Sequence, residues 1–355
     1  MRKIKTLISL CMLFSIICIG CSKSSAVTSP VPLAADSSFV KGADIGWLPQ
    51  MEATGYKFYN DQGVEQDCFQ ILKDHGINSI RLRTWVNPSD DKASGHCSKA
   101  ETVVMAVRAQ KMGMKVMIDF HYSDSWADPG QQRKPAAWVG HDFPTLLNDV
   151  YNYTADVMIA LKSAGITPQW VQVGNEISNG MIYPEGSASN WSQLIQLANK
   201  GYDAVKAVSP STKVILHIDQ GNNISRSKWW FDNAQANGAK YDIIGLSYYP
   251  YWLDGRPDFS LSIDDLGNNM SDLASRYGKE VMVVEVGGED TQPQNTFDML
   301  VAVQKKVKAV PGNKGLGVFY WEPEGARSWS HYALSAWGDD GRPTKALKAF
   351  VPNLE

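Results

Sequence analysis

The chain has 355 residues, of which 34 are basic and 37 acidic, so its formal net charge is −3. This mild negative charge and the lack of a basic run argue against nucleic acid as a partner. Twelve tryptophans and fourteen tyrosines are many for this length, and beyond core packing they offer flat surfaces on which sugar rings can stack.

The N-terminus predicts export. Three basic residues among the first five precede an apolar run from Leu7 to Ile19, which is too short for a membrane span. The run leads to Cys21 in a context that resembles a bacterial lipoprotein signal, with an ordinary signal peptide as the alternative. We therefore predict a signal peptide over residues 1–20, lipidation of Cys21 and a flexible tether over residues 21–38. The expected location is the outer membrane or cell surface.

The sequence pattern of residues 39–355 predicts a regular alternation of strands and helices. Apolar runs with a two-residue period are each followed by an amphipathic helix, several of them ended by glycine. The predicted strands cover residues 39–47, 77–86, 114–121, 170–176, 213–221, 241–252, 279–286 and 315–325. The predicted helices cover residues 63–76, 99–112, 144–164, 190–208, 227–237, 263–277, 294–308 and 343–350.

Eight strand–helix units without a break predict an α/β fold, a single-domain (β/α)₈ TIM barrel over residues 39–355. The rival fold is a doubly wound sheet. It would need a glycine-rich phosphate loop after the first strand, and residues 42–50 do not form one.

The ends of these strands carry polar or aromatic residues, whereas the strand bodies behind them are predicted to be Val, Ile, Leu and Met. Active sites of this fold lie at the C-terminal strand ends. The predicted site residues are Asp44, Arg81, His121, Asn175, Glu176, Asp219, Tyr249, Glu285 and Trp321, with Trp126 in a loop and His217 on the fifth strand. Glu176 and Glu285, on the fourth and seventh strands, are expected to face each other across the barrel mouth.

Two facing carboxylates predict cleavage of a glycosidic bond. A separation of about 5 Å gives retention and one of about 6.5 to 9.5 Å gives inversion. One carboxyl must keep its proton while the other stays ionised. Arg81 is expected to hold Glu285 charged, and Tyr249 to donate to it. Asn175 suits a sugar 2-hydroxyl and Trp321 the floor under the reacting sugar.

Some residues keep a structural interpretation beside the functional one. Asp44 suits a loop cap, His217 a core histidine with its hydrogen bonds satisfied, and Arg83 an ordinary inter-strand ion pair. Cys68 and Cys97 lie near neighbouring helix starts, so a disulfide is allowed without being required, and two lone cysteines do not make a zinc site.

Several strings together resemble the endo-β-1,4-galactanase family, glycoside hydrolase family 53, within the large clan of retaining (β/α)₈ hydrolases. They are GADIGWLPQMEATG, GINSIRLRTWVNP, DFHYSDSWADPG, VGNEISNG, LHIDQG, GLSYYPYW and VFYWEP, and the match runs from about residue 39 to the C-terminus. The resemblance implies that Glu176 is the acid/base, that Glu285 is the nucleophile and that the substrate is unbranched β-1,4-galactan of pectin. Many members have Thr after the nucleophile, whereas this chain has Val286.

We predict a monomer that requires no cofactor. Some bacterial members bind calcium beside the loop after the seventh strand, where Glu289 and Asp290 would be the ligands. This loop is short, so we expect no metal. The alternative functions are an endo-β-1,4-mannanase or glucanase of the same clan, or an inactive glycan-binding lipoprotein.

Overall fold

The computed structural model describes residues 39–92 and 95–352, so the predicted signal peptide, Cys21 and the tether lie outside the described residues. Eight parallel strands close into a barrel in chain order, from β1 next to β2 round to β8 next to β1. The strands are β1 (Val40–Asp44), β2 (Ser79–Thr84), β3 (Lys115–Phe120), β4 (Trp170–Val173), β5 (Lys213–Ile218), β6 (Ile243–Tyr248), β7 (Glu280–Val286) and β8 (Gly315–Trp321). The predicted single-domain (β/α)₈ barrel is confirmed.

Helices surround the barrel. They are α1 (Leu48–Ala53), α2 (Cys68–Asp74), α3 (Lys99–Lys111), α4 (Phe143–Ser163), α5 (Trp191–Val208), α6 (Ile224–Ala236), α7 (Ile263–Tyr277), α8 (Pro293–Lys308) and α9 (Arg327–Ser330). The short α1 was not predicted, and the last predicted helix is a 3₁₀ helix, Lys345–Phe350. No helix in the described part of the chain is long and apolar enough to span a membrane.

Local side chains fix where the helices begin. The predicted helix over residues 63–76 starts only at Cys68, because Glu65 bridges to Tyr59 and the Asp67 carboxylate caps the helix by accepting from the backbone of Gln70. Another N-terminus, that of α3, has a full capping box between Ser98 and Glu101. Each such cap satisfies backbone N–H groups that the first helical turn leaves unpaired.

The barrel interior is layered. An apolar layer fills the N-terminal part of the barrel interior, below the polar residues near the C-terminal strand ends. Its buried members are Val40, Met117, Trp170, Ile215, Ile243, Met282, Val284 and Phe319. Above it the prediction of purely apolar strand bodies is wrong, since Arg81, Asp119, Gln172 and His217 lie within strands and are fully buried. By the two-residue alternation these side chains face the interior directly over the apolar layer.

An irregularity in β7 brings Glu285 into the interior. Side chains alternate between the two faces of a strand, so Glu285 should point outward next to the inward-facing Val284. However, the pairing of β6 with β7 shifts register, from Leu246 opposite Val283 to Ser247 opposite Glu285. The extra residue turns Glu285 to the same side as Val284, as a β-bulge does.

Two smaller predictions concern the cysteines and the calcium loop. Cys68 and Cys97 are both buried and both free, so the allowed disulfide is not formed. Both carboxylate oxygens of Asp290 are bound by Arg327, at 2.5 and 2.6 Å, and Glu289 accepts from Gln292. Within residues 39–92 and 95–352 no cluster of three or more His, Cys, Asp or Glu side chains could hold a metal ion.

Candidate active site

A cavity of about 390 Å³ opens at the C-terminal ends of the strands. It is lined by His121, Trp126, Ala127, Asp128, Pro129, Asn175, Glu176, Asp219, Gln220, Asn222, Ser247, Tyr249, Trp252, Leu253, Glu285, Trp321 and Tyr332. Eight of the eleven predicted site residues are in this lining, Glu176 and Glu285 among them. The two glutamates, 109 positions apart in the chain, therefore meet at one cavity.

Glu176 follows β4 in a sharply turned backbone. Gly174 has φ +82° and Glu176 itself φ +45°, in the left-handed region. Its Oε1 accepts a hydrogen bond of 2.6 Å from Ser247 Oγ, and its backbone N–H donates to His217 at 3.3 Å. Burial and then the charge of Glu285 raise the pKa of Glu176 well above its usual range, while the Ser247 bond opposes the rise. Glu176 is thus placed to keep its proton near neutral pH.

The surroundings of Glu285 differ from those of Glu176. Arg81 Nη1 lies 2.8 Å from its Oε1, and Tyr249 donates its hydroxyl to Oε2 at 3.2 Å. Burial raises the pKa of Glu285, and Arg81 is the strongest opposing influence. A guanidinium and a phenol that both stabilise the carboxylate make Glu285 the more acidic member of the pair. Both predicted partners of Glu285 are therefore in contact with it.

Arg81 lies at the centre of a buried polar network. Its guanidinium donates to Asp44 at 2.7 Å, to Asp119 and Asn175 at 2.9 Å, and to Gln172 at 3.1 Å. Burial raises the pKa of Asp44 well above its usual range, against the pull of Arg81. Although burial alone would raise the pKa of Asp119, Arg81 and then His121 bring it below its usual value. The positive charge of Arg81 is thus balanced chiefly by Asp119 and Glu285.

Three predicted substrate-binding residues are not in the cavity lining. Asp44, Arg81 and His217 are fully buried, so direct substrate contact is not available to them. His217 bonds Ser247 Oγ at 2.7 Å through Nε2, and burial followed by the charge of Arg81 lowers its pKa, which keeps the ring neutral. The prediction put these residues on the correct face of their strands, but in the structure they lie one layer below the cavity. There they position the side chains that line it.

The other predicted residues keep a free side toward the cavity. Asn175 accepts from Arg81 and donates one amide hydrogen to the carbonyl of Ala127 at 2.8 Å, while its second hydrogen has no separate partner among the described residues. His121 bonds Asp119 at 3.0 Å, and Asp219 accepts from Ser178 and pairs with Arg226 at 3.2 Å. Each polar group is thus fixed in place before any substrate arrives.

One side of the cavity is an aromatic wall, formed by Trp126, Trp321 and Tyr332 in the lining and by Trp47 and Trp85 behind them. Ring centroids of neighbouring members lie 4.8 to 6.2 Å apart. Arg83 lies among these rings, with its Cζ 4.5 Å from the Trp126 centroid and 5.8 Å from that of Trp321. It also pairs with the buried Glu322. Arg83 thus pairs as predicted, but it also supports the aromatic wall, which was not predicted.

Sequence reasoning also missed Ser247, Asp119, Gln172, Tyr332 and Trp252. Three of them carried a usable signal, since Ser247 and Asp119 each stand two positions before a predicted site residue and Gln172 is a polar residue within an apolar strand. The alternation of a strand puts residues i and i+2 on one face, so the first two belonged to the same surface as Tyr249 and His121. Tyr332 and Trp252 lie in loops, where no such period applies.

Comparisons with known proteins show to which family the chain belongs. The sequence matches the profile of glycosyl hydrolase family 53 over residues 40–350. A probable arabinogalactan endo-β-1,4-galactanase A from Neosartorya fischeri is 37% identical over 317 residues, covering 82% of this chain and 85% of that protein. The endo-β-1,4-galactanase of Bacillus subtilis is 33% identical over 313 residues, covering 81% of this chain and 70% of that protein.

Solved structures give the same result. A family 53 catalytic domain from Ignisphaera aggregans matches with a TM-score of 0.80 at 30% identity, covering 90% of this chain and 99% of that one. Xylanase 10B from Thermotoga maritima, at 14% identity and a TM-score of 0.60, shares the fold alone. With nearly its whole barrel matched by the profile and by relatives above 30% identity, the chain belongs to glycosyl hydrolase family 53.

Proposed function

We propose that the protein is an endo-acting, retaining β-1,4-galactanase that cleaves galactan or type I arabinogalactan, the side chains of pectin. The relatives named as arabinogalactan endo-β-1,4-galactanases support this substrate. The observation that carries the chemistry is the contrast between two glutamates at one cavity. Glu285 is paired with Arg81, whereas Glu176 is held beside a neutral hydroxyl.

The contrast assigns a role to each carboxyl group. In the first step the Glu285 carboxylate bonds to the anomeric carbon while Glu176 gives its proton to the departing glycosidic oxygen, so the polymer is cut and a glycosyl–enzyme ester remains. Glu176, now ionised, then takes a proton from water, whose oxygen attacks the same carbon and releases Glu285. Two displacements at one carbon retain its configuration.

The direct test is Glu285→Gln. The amide cannot form the ester, so we expect kcat on galactan to fall by about 10⁴-fold or more. Glu280→Gln, at the other end of the same strand, is the matched control and should keep wild-type activity. Azide added to Glu285→Ala should yield a glycosyl azide of inverted configuration. A Glu285→Gln variant with near wild-type turnover would contradict the assignment of the nucleophile.

The substrate is tested separately from the mechanism. Release of reducing ends is measured from galactan, β-mannan and β-glucan with the purified protein, and we expect galactan alone to be cleaved efficiently. Activity confined to mannan or glucan would reject the galactanase proposal while leaving the roles of the glutamates intact.

We also propose that the enzyme is exported, is anchored through a lipid on Cys21, and acts as a monomer without a cofactor. The signal-like N-terminus supports the anchor. Metabolic labelling with a fatty acid should mark the wild-type protein but not Cys21→Ser, which should be found in the soluble fraction. Unchanged activity after treatment with a chelator would support the proposal that no metal is needed.

A further inference from the structure

A second cavity, of about 470 Å³, adjoins the candidate active site. It shares three lining residues with the first cavity: Gln220, Asn222 and Leu253. The loop between β5 and α6 forms one side and the first two turns of α7 form the other. The two cavities are therefore direct neighbours.

The chemistry of the second cavity is that of a sugar site. Its polar lining consists of Gln220, Asn222, Asn223, Asp265 and Asn268. An amide both donates and accepts, which suits sugar hydroxyls that do the same. The side chains of Gln220, Asn222 and Asn268 make no hydrogen bond within the described residues, so their bonding capacity is available to a ligand.

An exposed indole lines the first cavity and directly precedes Leu253, which lines both cavities. Trp252 lines the first cavity and is 62% exposed, although a large aromatic side chain normally gains free energy by burial. Tyr251 packs edge-on against it, with the ring centroids 4.6 Å apart. A fixed, exposed ring beside unpaired amides is what a polysaccharide-binding surface requires.

The position of the second cavity relative to the two glutamates indicates in which direction the polymer would run. Glu176 follows β4 and Glu285 lies on β7. The aromatic wall comes from β8 and from the segments after β1, β2, β3 and β8, whereas the second cavity lies on the side of β5 and β6. A polymer that passes between the glutamates therefore runs from Trp321 toward Asn222. Trp321 is the predicted floor under the attacked sugar, so the part of the polymer beyond the cut would extend over β5 and β6.

We propose that the second cavity binds the leaving-group side of the galactan chain, with Asn222 and Asn268 as hydrogen-bonding residues and Trp252 as the stacking surface at its entrance. This assignment rests on the proposed function. It makes cleavage depend on how many sugars lie beyond the scissile bond, since only a chain long enough to reach Asn268 gains these contacts.

The test separates the two sides of the cut. The variant Asn268→Ala, which changes the lining of the second cavity alone, is compared with wild type on reducing-end-labelled β-1,4-galacto-oligosaccharides of increasing length and on an aryl β-1,4-galactobioside, whose leaving group is the aryl ring alone. We expect kcat/KM on the long oligosaccharides to fall about fivefold, as for one lost hydrogen bond, and to stay within about twofold on the aryl substrate. The preferred cut should also move toward the labelled end.

The control is Asn152→Ala, an exposed asparagine on α4 whose side chain makes no hydrogen bond in the described part of the chain, and it should behave as wild type. An equal loss on both substrates, or no loss on the long oligosaccharides, would overturn the assignment. A wild-type protein that cleaves neither galactan nor the aryl substrate would overturn the proposed function as well, and that result is recognisable without any variant.

Discussion

Arg81 and Arg83 lie two residues apart on one face of β2, and both side chains are fully buried. Arg81 is surrounded by carboxylates and amides, and one of its partners is Glu285. Arg83 pairs mainly with Glu322, and the rings of four tryptophans lie within 4.5 to 5.8 Å of its Cζ.

The difference shows two ways to use a buried cation. Hydrogen bonds in a low dielectric fix the ionisation of a neighbouring carboxylate, which is what Arg81 does for Glu285. The Nε and Nη2 of Arg83 have no hydrogen-bond partner in the described structure, so the ring faces compensate for part of its lost hydration. Arg81 therefore sets a charge, whereas Arg83 sets the orientation of rings.

Among the variants that test this comparison, the largest effect is expected for Arg81→Lys. An ammonium keeps the charge but cannot bridge Asp44, Asp119 and Glu285 at once. We expect kcat/KM on galactan to fall by about 10²- to 10³-fold. Because Glu285 must be ionised and would lose its strongest pKa-lowering partner, the acid limb of the kcat/KM profile should move to higher pH. An unshifted acid limb would show that Arg81 does not control Glu285.

Arg83→Lys should act on binding instead. A lysine cannot lie flat against several indoles, so the aromatic wall loses its support while the glutamates keep theirs. We expect KM for galactan to rise about tenfold with kcat within about threefold, and the near-ultraviolet circular dichroism of the tryptophans to change. If the two lysine variants gave the same kinetic pattern, the distinction between the arginines would be wrong.

The contrast between these arginines also shows which features could be predicted from the sequence and which could not. Local periodicity predicted the barrel and the shared face of Arg81 and Arg83, and the positions of the strand ends predicted the two glutamates. The register shift that turns Glu285 inward was not predicted, because it depends on the pairing of β7 with β6. Local periodicity also did not predict the depth at which Asp44 and His217 lie, since depth is set by strand tilt and register between distant segments. Nor did it predict the role of Arg83, because its tryptophans come from four separate parts of the chain.

A smaller effect is expected for Ser247→Ala, which tests the other glutamate. Ser247 donates to Glu176 and thereby lowers its pKa, so removing the hydroxyl should raise that pKa further. Since Glu176 must be protonated for the first step, the alkaline limb of kcat/KM should move to higher pH by about half a unit to one unit. The acid limb should stay in place, in contrast to its shift in Arg81→Lys.

The smallest effect is expected for Glu324→Gln and concerns thermal stability. Glu324 lies two residues after Glu322, the partner of Arg83. Burial and then the charge of Glu322 raise the pKa of Glu324 well above its usual range. Such a group contributes stability that is complete below its unfolded pKa and is lost as pH rises toward the folded one. Glu324→Gln should therefore match wild type near pH 4 and have a Tm higher by about 3 °C at pH 8.

A control for this measurement is Glu65→Gln, which removes only an exposed pair with Lys57 and should leave Tm unchanged at both pH values. If the Tm difference between Glu324→Gln and wild type were the same at pH 4 and pH 8, Glu324 would not be the titrating group.

The register shift in β7 has a consequence for how this enzyme can diversify. Glu285 faces the cavity because the ladder with β6 takes up one extra residue between Val283 and Glu285. Deleting Val284 would put Glu285 directly after the outward-facing Val283 and still opposite Ser247, so regular alternation alone would turn the carboxylate inward. A bulged strand and a regular strand one residue shorter therefore present the same attacking group, and lineages that lose this single codon are expected to remain catalytic.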